Sequence, residues 1–193
     1  MRTVTYGAAC SLDGFIAAAD GSLDWLHFSP DVQAVMNAYW PTIDTILMGR
    51  GTWEVSAQQG AGKSTRKSKT DKSNTGTSRA KPKIQTYVFS RTLDNISGSG
   101  VHLIRDDAGP FVADLKRQPG KGICVMGGGV LATSLLEAGV VDEVGMNVHP
   151  VLLGAGVPLF RDVRRRIPLQ LVETRRMDGG CVLCRYHVSG TGA

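Results

Sequence analysis

One segment constrains the fold more than any other: Gly122-Ile123-Cys124-Val125-Met126-Gly127-Gly128-Gly129-Val130-Leu131. The run at 122–126 is too short for a buried helix and reads as a buried strand. Three glycines then turn the chain, and 130–138 reads as an apolar helix that Gly139 closes at its C-terminus. A strand that feeds a helix through so tight a turn belongs to a parallel crossover, because parallel neighbours need a long connection. The same alternation recurs along the chain. Strands are expected at 2–10, 44–49, 84–90, 101–105 and 142–148, and helices at 110–118 and from Arg50 to Ser56. Ser29-Pro30-Asp31 announces another helix, with an N-cap, a proline at the first position and an acid in the first turn. Val32, Val35, Met36 and Tyr39 fall on one face of it, and Pro41 stops it. Residues 169–177 and 181–188 flank Asp178-Gly179-Gly180 and read as a closing hairpin. The expectation is one α/β domain over 1–193, with a central mixed sheet, flanking helices and a C-terminal antiparallel hairpin.

Charge is concentrated in one place. The chain has 22 Lys+Arg against 17 Asp+Glu, a formal +5. Residues 58–83 hold eight of the bases and one acid, leaving 14 basic and 16 acidic residues elsewhere. That stretch contains no Val, Ile, Leu, Met, Phe, Tyr or Trp, so it cannot join a core and reads as a polar insertion, a solvated loop. The body of the protein is therefore slightly acidic, which points away from a nucleic-acid-binding surface. An alternative keeps 58–83 as the contact of a non-catalytic nucleotide- or nucleic-acid-binding protein. No run approaches the length of a membrane helix. Of the four cysteines, Cys181 and Cys184 form a C-x-x-C, but on a strand they point to opposite faces. Neither a metal site nor a disulfide is expected, and a reducing cytoplasm fits best.

Several motifs carry candidate chemistry. Ala57-Gln58-Gln59-Gly60-Ala61-Gly62-Lys63-Ser64 matches a relaxed phosphate loop. It lacks the strand before and the periodic helix after that would aim its N–H groups at phosphate. Gly127-Gly128-Gly129-Val130-Leu131-Ala132 fits G-x-G-x-x-A with the right context on both sides, and a helix N-terminus favours negative charge. Gly49-Arg50-Gly51-Thr52 marks a second strand–helix junction, and Ser90-Arg91 ends a third strand. Two arginines and two hydroxyls at strand ends suit a phosphomonoester.

With these residues in view, the chain resembles the dihydrofolate reductase-like superfamily. It is closest to the branch of the riboflavin-biosynthesis reductase domain. The matching segments are 11–17, 44–54, 88–91, 127–139 and 141–160, in the family's order. The resemblance implies NADPH as cofactor and reduction of a small C=N or C=O substrate, pterin-like or ribosylaminopyrimidine-like. It implies that Gly49, Arg50 and Thr52 hold the 2′-phosphate side and the pyrophosphate, and that Ser90 and Arg91 contact the 2′-phosphate. Gly127, Gly128, Gly129, Val130 and Leu131 would hold the pyrophosphate. Ala9, Asp13 and Ile16 would border the nicotinamide. Asp31 is the nearest match to the carboxylate that faces the substrate, so Asp31 and Asp13 are the candidate catalytic acids, with Asp24 and His27 as further proton-handling groups. The family also leads one to expect a homodimer. The basic insertion belongs to neither reductase pattern, and the zinc-binding deaminase signature of the riboflavin pathway is absent.

Overall fold

A computed structural model describes residues 1–62 and 84–190. In chain order its elements are β1 (Val4–Ser11), β2 (Phe15–Ala18), α1 (Pro30–Tyr39), β3 (Ile43–Gly49), α2 (Arg50–Gly62), β4 (Gln85–Phe89) and β5 (Val101–Ile104). There follow α3 (Ala108–Arg117), β6 (Gly122–Met126), α4 (Gly129–Glu137), β7 (Glu143–His149), β8 (Gly156–Pro158), β9 (Leu169–Arg176) and β10 (Val182–Val188). Eight strands form one sheet in the order β5-β4-β3-β6-β1-β7-β10-β9. The pairs from β5 to β7 are parallel, while β10 runs antiparallel to both β7 and β9. This is the mixed sheet with a closing hairpin that the sequence leads one to expect. Among the described residues no helix is long and apolar enough to cross a membrane.

Handedness distributes the helices. The crossovers through α1 and α2 move toward β5, and those through α3 and α4 move toward β7. Right-handed connections then put the two pairs on opposite faces. On the α3/α4 face, Val4, Tyr6, Leu47, Ile123 and Val125 of the sheet pack against Val112, Leu115, Leu131 and Leu135 as one core. Each such side chain contributes about 1.5–3 kcal/mol on burial. The other face is covered differently. Val32 of α1 joins Met177, Cys181 and Leu183 in a small separate cluster, and the sheet beside it stays open. Pro30 and the turn Trp40–Thr42 bound α1 as expected, but the Ser29 hydroxyl bonds to Asp31 rather than capping a backbone amide.

Two features depart from the sequence reading. Helix α2 runs on to Gly62, so residues 58–62 of the expected loop are helical, and Gly60 and Gly62 make no phosphate loop. Lys63, Ser64 and the rest of the basic stretch to Lys83 lie outside the described residues. A second, two-stranded sheet of β2 and β8 was not expected, because three residues are too few to show a period. Gly156 is required there: a Cβ would lie 2.1 Å from the Ala17 carbonyl oxygen.

Two polar staples bind the amino ends of the strands. The buried Arg2 guanidinium pairs with Asp44, donates to Thr45 Oγ1 and gives its Nε–H to Lys121 O at 2.6 Å. Asp44 also accepts from Lys121 N at 2.8 Å. Lys116 Nζ bonds both oxygens of Asp142, one of which accepts from Val4 N. Burial opposes ionisation of Asp44, but Lys121 N–H, the Thr45 hydroxyl and Arg2 together hold its carboxyl below the ordinary value. A depressed carboxyl stabilises the fold above its unfolded pKa, and that contribution is lost as pH falls through the folded value. Asp44→Asn is therefore expected to lower stability by about 2 kcal/mol at neutral pH, since it leaves Arg2 buried without its counter-charge. Urea midpoints measured across pH should show the gap from the native chain closing in acid.

Candidate functional site

The carboxyl ends of β4, β3, β6 and β1 lie side by side, which is where open α/β sheets bind ligands. At the end of β6, Gly127 has φ +74°, and a Cβ built on it would sit 2.1 Å from Thr52 Oγ1. Thr52, from the first turn of α2, accepts the Gly128 N–H at 3.2 Å. Gly129 is pressed against the carbonyls of Pro158 and Leu159, each 2.8 Å from a built Cβ. Gly127 and Gly129 are thus needed for close approach, whereas a Cβ on Gly128 would meet only Thr52 Oγ1 at 3.9 Å. The first amides of α4, which lack partners within the helix, begin at this turn. Val130 stands exposed beside them, whereas the Leu131 side chain is buried in the core and can offer a ligand only backbone.

Next to this turn, Arg50 begins α2 and donates to Thr92 Oγ1 at 3.2 Å. Ser90 Oγ accepts from the N–H groups of Thr92 and Leu93 and lies 3.5 Å from Thr92 Oγ1. Arg91 is exposed and pairs with Asp107 at 2.6 Å. The structure thus groups Arg50 and Ser90 as expected, brings Arg91 to the same strand end, and adds Thr92. No motif marked Thr92, because its role comes from the bend after β4. Open space lies above Gly49.

A cavity of about 750 Å³ opens on the α1 face. Ala9 lies on its wall, while Ile16 packs, half-buried, against the core. Strand β7 supplies Asn147 and His149 to this wall, paired in register with Ala9 and Ser11. His149 is buried, with Nδ1 3.2 Å from Asn147 O and its ring edge-on to Trp25 at 5.4 Å. Asn147 Oδ1, His149 Nε2 and Trp25 Nε1 are buried and have no hydrogen-bond partner among the described residues. His27 also lines the cavity and packs against Gly179 of the hairpin turn. The alternation of polar Glu143, Asn147 and His149 with Val144, Met146 and Val148 along β7 is a signal in the sequence that no motif marks. At the other end Tyr39 closes the wall, and burial, then the nearby Cys124 thiol, pushes its phenol well above the ordinary value.

The carboxylates expected at the reaction centre are placed elsewhere. Asp13 accepts from Ser11 Oγ at 2.6 Å and from the amides of Leu153 and Gly154, which ties the β1–β2 turn to the loop before β8. Asp31 accepts from Ser29 Oγ, Val32 N and Asp178 N, which ties α1 to the β9–β10 turn. The Ser11 hydroxyl for Asp13, and the Ser29 hydroxyl then Asp178 N–H for Asp31, hold both carboxyls below the ordinary range. Such groups stay ionised at neutral pH and act as acceptors, and neither lines the cavity. Asp24 accepts from Ser22 at the surface.

Residues 2–183 match the family model of the RibD C-terminal domain. The uncharacterized protein YyaP of Bacillus subtilis is 37% identical over 189 residues, 98% of this chain and 96% of that protein. A pyrimidine reductase-like protein from Corynebacterium diphtheriae superposes with a TM-score of 0.65 at 16% identity, covering 97% of this chain and 92% of that one. Dihydrofolate reductase from Enterococcus faecalis, solved with NADP(H), superposes with a TM-score of 0.64 at 16% identity over 97% and 96%. The dihydrofolate reductase-like fold is thereby shown.

The glycine turn makes a direct prediction. Gly127→Ala should lower the thermal midpoint by several degrees, about 2 kcal/mol, and adding Thr52→Ala should recover part of the loss by removing the side chain it strikes. Gly129→Ala strikes backbone carbonyls, so Thr52→Ala should recover nothing there.

Proposed function

The chain belongs to the RibD C-terminal domain family, and we propose that it is an NADPH-dependent reductase acting on a C=N or C=O carbon of a small heterocycle, pterin-like or ribosylaminopyrimidine-like. One observation carries the reading: glycines, hydroxyls and Arg50 gather at the ends of β3, β4 and β6, and a cavity of about 750 Å³ along β1 and β7 reaches Met126, the residue before that glycine turn.

The residues present fit the cofactor. The amides of Gly129, Val130 and Leu131 at the start of α4 favour a pyrophosphate, the positive end of the helix adds to them, and Gly128, its own N–H held by Thr52, fixes the turn beneath. Arg50 with Ser90 and Thr92 suits a 2′-phosphate, with Arg91 a second cation able to exchange Asp107 for it. Gly49 and Thr52 complete the junction. Ala9 and Ile16 present small and apolar surface to the nicotinamide. NADPH, when bound, supplies the hydride. The protein has to hold the reacting carbon near contact distance, keep water out and let a proton reach the neighbouring heteroatom. His27 and His149 are the histidines on the cavity wall. Asp13 and Asp31 serve the site by fixing its loops. The four cysteines, all free, accord with a reducing cytoplasm. A homodimer belongs to the same reading, since β9 is an edge strand with Leu169, Leu171 and Val172 exposed.

Fluorescence titration tests the reading: NADPH should bind in the micromolar range and more tightly than NADH, and failure to bind either would overturn it. Arg50→Ala should weaken NADPH by about 10- to 100-fold, the worth of one charge-assisted contact, and leave NADH unchanged.

A further inference from the structure

Gly7 of β1 and Gly145 of β7 are register partners in the middle of the sheet. Glycine in a strand interior is destabilising and commonly marks a place where something approaches the backbone closely. Neither glycine has another reason to be there. A Cβ on either would meet nothing within 4 Å, and neither has a left-handed φ. The row across the sheet at this level reads Met126, Gly7, Gly145, Arg185 and Glu173, with the two glycines paving its middle. All five line the cavity, and Val35, Met36 and Tyr39 of α1 face it as a roof.

This floor extends well past the end where Ala9 and Asn147 sit. The cavity is lined along β1 from Ala9 to Thr3, a run of about 20 Å at the rise of a strand. Its charged groups compensate one another. Arg185 lies 3.7 Å from Glu143 and 3.3 Å from Glu173, and Arg175 lies 3.8 Å from Glu173. His187 lies 3.8 Å from Glu143. Both cavity arginines therefore already have a carboxylate, which disfavours a phosphate-bearing tail.

We propose that the paired glycines form a slot for the body of a flat, uncharged substrate in which a pterin-like head, its reducible end beside Ala9, is fused into an elongated system of three or more rings. This selects the pterin-like over the ribosylaminopyrimidine-like form of the reductase reading. The choice of reacting end rests on the reductase reading, whereas the slot itself does not. Valine at either glycine favours a strand and projects its methyls into the space the ring would take.

The test uses the full chain and lumichrome, a neutral planar tricycle, followed by its fluorescence, with uracil as the single-ring control. Lumichrome should bind in the micromolar range and uracil at least 100-fold more weakly. Gly7→Val and Gly145→Val should each weaken lumichrome at least tenfold, keep NADPH affinity within twofold, and melt no lower than the native chain. Absence of lumichrome binding, or unchanged binding in both variants, would overturn the slot. So would a fall in melting temperature, which would make the glycines a requirement of the fold. Light scattering adds one more outcome: a dimer that Gly145→Val dissociates would make this floor a contact between copies and overturn the proposal. Lumichrome binding without NADPH or NADH binding would leave the slot standing and sink the reductase reading.

Discussion

Strand β1 is hydrogen-bonded in parallel to β6 on one side and to β7 on the other, and the molecule is arranged around that placement. Period-two alternation makes its two faces chemically different. Val4 and Tyr6 are fully buried against α3 and α4, while Thr3, Thr5, Gly7 and Ala9 look into the cavity. One strand thus supplies the centre of the core and the floor of the site. A register slip of a single residue would exchange the two.

Stability and function are segregated along the strand axis. The Arg2–Asp44–Lys121 and Lys116–Asp142–Val4 staples join the amino ends of β1, β3, β6 and β7. The carboxyl ends are then free to end in glycine and hydroxyl residues, which let the backbone approach closely at the strand–helix turns. Asp13 and Asp31 extend this division of labour. Each uses its carboxylate as a three-point acceptor that fixes a loop at the rim of the site.

Much of the fold was legible because local pattern and tertiary role agree. The strand–glycine–helix unit at 122–139, the α1 boundaries and the hairpin at 169–188 each carry a period and a stop signal that the structure honours. The misses have local causes. Strand β8 has three residues and no period. Helix α2 continues through Gly60 to Gly62, because glycine in a helix costs only about 1 kcal/mol and does not forbid it. At the candidate site, residue types announced the candidate anion-binding groups. Thr92, His149 and the Gly7–Gly145 pair carry no motif, and only strand register and the bend after β4 bring them into place.

By itself the sequence determined the α/β class and the concentration of positive charge at 58–83, because both follow from spacing or composition; the family and the candidate cofactor residues came through the resemblance that its motifs carry. Tertiary structure alone decided which carboxylates stand away from the cavity, which hydroxyls meet Arg50, and that two glycines 138 positions apart become neighbours. Those facts depend on long-range pairing, in which a residue's surroundings come from strands distant in the chain. The chemistry of Asp31 was readable from its own letters, but its hydrogen-bond partner Asp178 was not.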